Sequence, residues 1–150
     1  MSERVFVDTN ILVYAHDLDA GDKRTVAARR VKELWAGKQG LISTQVLQEL
    51  YVNVTRKIPS PLSPAAARDI VRSYCVWQVE VLGPEMVLQA SELAERHRVS
   101  FWDGLILTAA LQGRATRILS EDLNPGQVIE GVLVENPFAS SEAPGRTTGS

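Results

Sequence analysis

Arg4-Val5-Phe6-Val7-Asp8-Thr9-Asn10-Ile11-Leu12-Val13-Tyr14 is the stretch whose reading decides the fold. Val5, Phe6 and Val7 form a short apolar run that suits a buried strand, and the run stops abruptly at Asp8. Apolar periodicity resumes at Ile11, so a helix is expected over residues 9–16 with Asp8 in position to cap it. An acid at the carboxyl end of a first, buried strand stands where open α/β sheets bind their ligands.

Outward from that stretch, short strands keep alternating with helices. Asp17, Asp19, Gly21 and Asp22 make a polar turn before a helix over 23–38, striped by Val26, Ala27, Val31, Leu34 and Trp35. Its other face carries Lys23, Arg24, Arg29, Arg30, Lys32 and Lys38, which read as a solvated surface. A second strand is expected at 40–42, and Ser43 or Thr44 can cap a helix running to about residue 57. Ser63 followed by Pro64 marks the start of the next helix, to 74, ahead of a third strand over 77–82. Gly83-Pro84 opens a helix to 98, Ser100 one over 101–112, and 117–119 reads as a fourth strand. Asn124-Pro125-Gly126 is a turn, and one last strand is expected within 128–134. The pattern predicts a parallel sheet with helices on both faces. Residues 1–138 are read as one domain, and the small, polar, aperiodic residues 139–150 as a disordered tail.

A chain of 150 residues with 45% apolar and 23% charged side chains suits one globular domain. No apolar run approaches the ~20 residues that span a bilayer, and no signal peptide is expected. Cys75 is the only cysteine, which excludes an internal disulfide and fits a reducing cytoplasm. The formal net charge of −2 excludes a generally basic nucleic-acid coat, though bound metal can bring phosphate to an acidic surface.

Four acids carry the functional reading: Asp8, Glu49, Asp103 and Asp122. Each has an ordinary structural explanation alone. Asp8 can be an N-cap, Asp103 the acidic half of the capping box Ser100-Phe101-Trp102-Asp103, Asp122 a turn residue and Glu49 a solvated helix position. Together they differ. Asp8 and Asp122 end the first and fourth strands, and Glu49 and Asp103 lie in early turns of helices that begin at the same sheet edge. Carboxylates gathered in one crevice resist ionising unless they share a proton or bind cations. An all-oxygen set without paired histidine or cysteine favours Mg²⁺ or Mn²⁺ over zinc. Such ions activate water and neutralise the leaving oxygen in phosphodiester hydrolysis. Asn10, Ser43 and Ser120 can orient water or the outer ligand shell.

Chemistries with a phosphorylated aspartate fit less well. A phosphotransferase of that kind wants a second acid two positions after Asp8, where Asn10 stands, and a lysine after the strands, whereas the last lysine is Lys57. His97 extends an apolar stripe and reads as a satisfied, partly buried histidine; Cys75 reads as core, and Trp35, Trp77 and Trp102 as packing residues.

With these residues in place, the chain resembles the PIN-domain family, most closely the VapC-type ribonuclease toxins of type II toxin–antitoxin systems. The matching segments are Val7-Asp8-Thr9-Asn10-Ile11-Leu12, Ser43-Thr44-Gln45-Val46-Leu47-Gln48-Glu49, Phe101-Trp102-Asp103-Gly104-Leu105-Ile106, Leu119-Ser120-Glu121-Asp122-Leu123 and Asn136-Pro137-Phe138. The resemblance implies a three-layer α/β/α fold with a parallel sheet of about five strands. It also implies a metal-dependent endoribonuclease using Asp8, Glu49, Asp103 and Asp122, a homodimer, and a cognate antitoxin that occupies the crevice. Glu121 adjoins Asp122, and either can be the fourth acid. Two other readings stay open: a housekeeping RNA-processing nuclease without an antitoxin, and a non-catalytic RNA-binding PIN domain.

Overall fold

A computed structural model describes residues 3–139. The elements run β1 (Arg4–Val7), α1 (Thr9–His16), α2 (Asp22–Gly37), β2 (Gly40–Ser43), α3 (Thr44–Arg56), α4 (Pro64–Tyr74), β3 (Gln78–Glu80), α5 (Pro84–His97), α6 (Phe101–Gln112), β4 (Ala115–Leu119), β5 (Val128–Ile129) and β6 (Val132–Glu135). The strands form one sheet in the order β3-β2-β1-β4-β6-β5. The first five in that order are parallel, and β5 pairs antiparallel with β6 at the edge.

Connection handedness places the helices. From β1 the chain steps to β2 and then β3 in one direction, through α1–α2 and α3–α4. It then reverses, passing through α5 and α6 to β4 on the other side of β1. Right-handed crossovers put α1 to α4 on one face of the sheet and α5 and α6 on the other. The three-layer architecture expected from the sequence is therefore present. The core fills both interlayer spaces, with Phe6, Ile11, Leu12, Leu41, Ile42, Leu50, Leu107 and Ile118 fully buried.

Local chemistry sets the helix starts as the sequence indicates. Ser43, Ser63 and Ser100 accept hydrogen bonds from Val46 N, Ala66 N and Asp103 N at the starts of α3, α4 and α6. Gly104 allows α6 to lie against α5, since a Cβ there would meet the Ala90 carbonyl oxygen at 2.4 Å.

Several expectations are corrected. The strand expected within 128–134 is two strands, β5 and β6, joined by Glu130 (φ 52°) and Gly131 (φ 85°). Two successive positive φ angles make the tight hairpin turn that right-twisted strands favour. The sheet thus has six strands, five of them parallel. The third strand is only Gln78–Glu80. Cys75 is exposed rather than core, because it caps the end of α4 after the buried Tyr74. Trp35 and Trp77 pack on Tyr74 with ring centroids 4.9 and 5.1 Å away, whereas Trp102 is 62% exposed beside Phe101. The basic face of α2 is not wholly solvated: Lys23 pairs with Glu121, and Arg30 with Glu33 and Glu135. His97 is partly buried and meets Glu130 at 2.7 Å. Of the expected tail, residues 140–150 lie outside the described residues.

Candidate active site

The reversal of connection direction falls between β1 and β4, the place where open α/β sheets leave a crevice at their carboxyl edge. Asp8 N donates to Leu119 O at 2.9 Å, so Asp8 and Ser120 leave the sheet at the same level. Asp8 caps α1, and its Oδ1 accepts from Thr9 N at 2.7 Å. Its Oδ2 accepts from Ser120 Oγ at 2.8 Å. The residue is only 6% exposed. Burial lifts its carboxyl to about 6; the bonds from Ser120 and Thr9 oppose the rise, while the charges of Asp122 and Asp103 add to it.

The other acids arrive by separate routes. Glu49 lies in the second turn of α3, where its Oε1 accepts from Thr9 Oγ1 at 2.7 Å and its Oε2 from Gln45 Nε2 at 3.3 Å. Thr9 thus ties Glu49 to the residue beside Asp8. Asp122 N donates to Ser120 Oγ at 3.1 Å, a side-chain-to-backbone turn that leaves its own side chain exposed. Asp103 sits in the first turn of α6, and its carboxyl is raised by burial, less the Ser100 hydrogen bond, and by the charges of Asp122 and Glu49.

A cleft of about 430 Å³ runs down the seam between α1 and α3. Asp8, Thr9, Asn10, Glu49 and Asp122 line its sheet end; Val13 and Tyr14 follow along α1, and Asp17, Asn53, Lys57, Ile58 and Pro59 line the rest. Asp103 is electrostatically coupled to this group but does not line the cleft. Asn10 Oδ1 is buried without a hydrogen-bond partner. Ser43 is fully buried at the cap of α3 and is not part of the cleft wall. Glu121 accepts from Tyr14 Oη at 2.8 Å and pairs with Lys23, so its carboxylate is engaged while that of Asp122 faces the cleft.

Asp17, Asn53 and Lys57 line the cleft without having been singled out from the sequence as members of one site. A signal existed for two of them. Glu49, Asn53 and Lys57 recur every four residues, which puts them on one helical face. Asp17 carries no such periodicity.

The donors at the sheet end are all oxygens: carboxylates, an amide carbonyl and hydroxyls. That set suits a small hard divalent cation and offers a softer ion no sulfur or imidazole. Asp8, desolvated and bonded only to neutral donors, has the electrostatic deficit that a cation offsets. As they stand, no three acidic, histidine or cysteine side chains among the described residues converge closely enough to hold a metal ion.

The sequence model of the PIN domain matches residues 5–128. The chain belongs to the PIN domain family. Among solved structures it is similar to VapC20 of Mycobacterium tuberculosis, described as a sarcin-ricin loop cleaving toxin. The two are 27% identical, with a TM-score of 0.60 over 79% of this chain and 89% of that one. A toxin–antitoxin complex from Klebsiella pneumoniae shares the fold at 19% identity and TM-score 0.66, covering 89% of this PIN domain chain and 97% of that one. VapBC2 of Rickettsia felis, bound to a DNA fragment from its promoter, does so at 18% identity and TM-score 0.58, covering 88% and 97%. No curated protein sequence matches the chain. No helix among the described residues of this PIN domain is long and apolar enough to cross a membrane.

Proposed function

We propose that this chain is a divalent-metal-dependent endoribonuclease, using Mg²⁺ or Mn²⁺, and the toxin of a toxin–antitoxin pair. The observation that carries the reading is Asp8. It is a buried carboxylate at the β1/β4 switch point, bonded only to neutral donors, with Glu49 and Asp122 on the same cleft and the charge of Asp103 bearing on it. Membership of the PIN family and the likeness to VapC20 support the choice of RNA as substrate.

In this reading Asp8, Glu49, Asp103 and Asp122 would hold the ion, and the buried Asn10 Oδ1 would supply a neutral oxygen. The ion, when bound, supplies a polarised water and positive charge for the leaving oxygen of the phosphodiester. The chain's own contribution is orientation. Ser120 fixes Asp8 through Oδ2 and, through the Asp122 amide, the turn that carries Asp122. Thr9 fixes Glu49, while Ser43 sets the start of the helix that bears it. Glu121, held by Tyr14 and Lys23, anchors the segment after β4 to α1 and α2. The cytoplasm, a homodimer and a cognate antitoxin that covers the cleft complete the proposal.

Purified protein should degrade RNA with Mn²⁺ and lose that activity in chelator, and Asp8→Asn and Asp103→Asn should each cut at background rate. Equal cleavage by the parent and both variants would remove the enzymatic reading. Expression without a partner separates toxin from processing nuclease: growth arrest that needs Asp8 supports the first, and healthy growth with intact nuclease activity the second.

A further inference from the structure

The cleft is not uniform in charge. Three of its four lining acids, Asp8, Glu49 and Asp122, stand at the sheet end; the fourth, Asp17, lines the outer part with Lys57, the one lysine or arginine among the described residues of the wall. Lys57 Nζ forms no ion pair with any carboxylate among the described residues, unlike Lys23. Glu49 and Lys57 are separated by two turns along one face of α3 and its C-cap, roughly 12 Å at 1.5 Å per residue. That is too far for Lys57 to serve the phosphate at the acid cluster. It suits a phosphate farther along the same strand.

The wall around Lys57 is built rather than loose. Lys57 N donates to Asn53 O at 2.8 Å, and Leu62 N reaches back to Val54 O at 2.8 Å, closing the turn after α3. Ser60 Oγ donates to Asp19 Oδ2 at 2.8 Å, tying that turn to the α1–α2 connection. Asn53 spends its Nδ2 on Glu49 O at 2.7 Å, which leaves its amide oxygen as an acceptor. Ile58 and Pro59 add apolar side chains to the same wall.

We infer that the outer half of the cleft is a phosphate subsite for single-stranded RNA, in which Lys57 binds a backbone phosphate displaced from the scissile one. The inference rests on the ribonuclease reading for its choice of polymer. An acidic cleft repels a polyanion, and Lys57, the one unpaired cation among the described residues of its wall, sets where the strand can lie. Lys57 is therefore a substrate-positioning residue. It touches neither the reacting phosphate nor the acids.

The test is binding of a short fluorescent single-stranded RNA, measured against salt concentration in chelator, with Asp8→Asn as the parent so that nothing is cut. Lys57→Gln should weaken binding roughly three- to tenfold and reduce the slope of log affinity against log salt by about 0.7, the value for one phosphate on a single strand. Lys57→Arg should restore both, and Arg56→Gln, an exposed neighbour off the cleft wall, should change neither. An unchanged slope in Lys57→Gln, an equal loss in Arg56→Gln, or no binding by the parent would each overturn the subsite. Cleavage by the wild-type chain with Mn²⁺ is scored separately, so loss of the subsite and loss of the nuclease reading are distinguishable.

Discussion

Replacing Asp8 with asparagine should make the metal-free protein more stable, although it removes the residue on which the proposed chemistry most depends. Burial raises the Asp8 carboxyl from the ordinary 3.8 to about 6. A group whose folded pKa lies above its unfolded value contributes stability below the unfolded value and loses that contribution as pH rises through the folded one. The window therefore runs from about pH 4 to about pH 6, and at neutral pH the deficit is complete. At about 1.4 kcal/mol per tenfold in acidity, it amounts to roughly 3 kcal/mol. Asparagine keeps the shape, is an equally favoured N-cap, and can still accept from Thr9 N. Its amide must donate toward Ser120 Oγ, which already accepts from Asp122 N, so part of the gain is lost. The expected net gain is about 1–3 kcal/mol at neutral pH, or a rise in Tm of roughly 2–4 °C per kcal/mol for a domain of this size. Urea unfolding in chelator, at pH 7.5 and at pH 4, checks it: the gain should appear at the first and vanish at the second. A destabilised variant, or a gain equal at both pH values, would refute the reasoning. Mg²⁺ at one hundred times its Kd should narrow or reverse the gap, because it would stabilise the wild type by about 2.7 kcal/mol.

Gly104→Ala should cost about 1–3 kcal/mol by denaturant unfolding, because its Cβ would press on the Ala90 carbonyl and the yielding partner is backbone. Nuclease activity should fall with it, since α6 carries Asp103 in the preceding position. Glu121→Gln should change stability by less than about 1 kcal/mol, as its pair with Lys23 is partly open to solvent. Cys75 should react with a thiol reagent in the native protein at the rate of a free thiol, and unfolding should not accelerate it greatly.

The sequence made β1, Asp8 and α1 legible because an apolar run, an acid and a helical period follow one another without interruption. The starts of α3, α4 and α6 were legible for a similar reason: Ser43, Ser63 and Ser100 each stand where an unpaired helix amide needs an acceptor. The β5–β6 hairpin was not. Glu130 adopts φ 52°, and glutamate announces no such conformation, so the apolar residues on either side read as one strand. Trp102 reads as a packing residue in the sequence because size and apolarity do not reveal which side of a helix meets the sheet. In the sequence Lys57 stands out only as the last lysine. Its place on the cleft depends on the pairing of α1 with α3, which local sequence does not encode. Glu121 and Asp122 are inseparable in sequence; in the structure Tyr14 and Lys23, many residues earlier, engage Glu121, while Asp122 lines the cleft.

The bond from Ser120 to Asp8 spans 112 residues, and β4 is the strand that flanks β1 on the side opposite β2. During synthesis, Asp8, Glu49 and Asp103 all leave the ribosome before the segment that completes their surroundings. Until Leu119 and Ser120 follow, β1 has a bare edge and Asp8 lacks one of its two hydrogen-bond donors. If the proposed reading holds, a chain that ends before Leu119 should therefore not cleave RNA. The last central strand to be made is thus the one that completes the surroundings of Asp8.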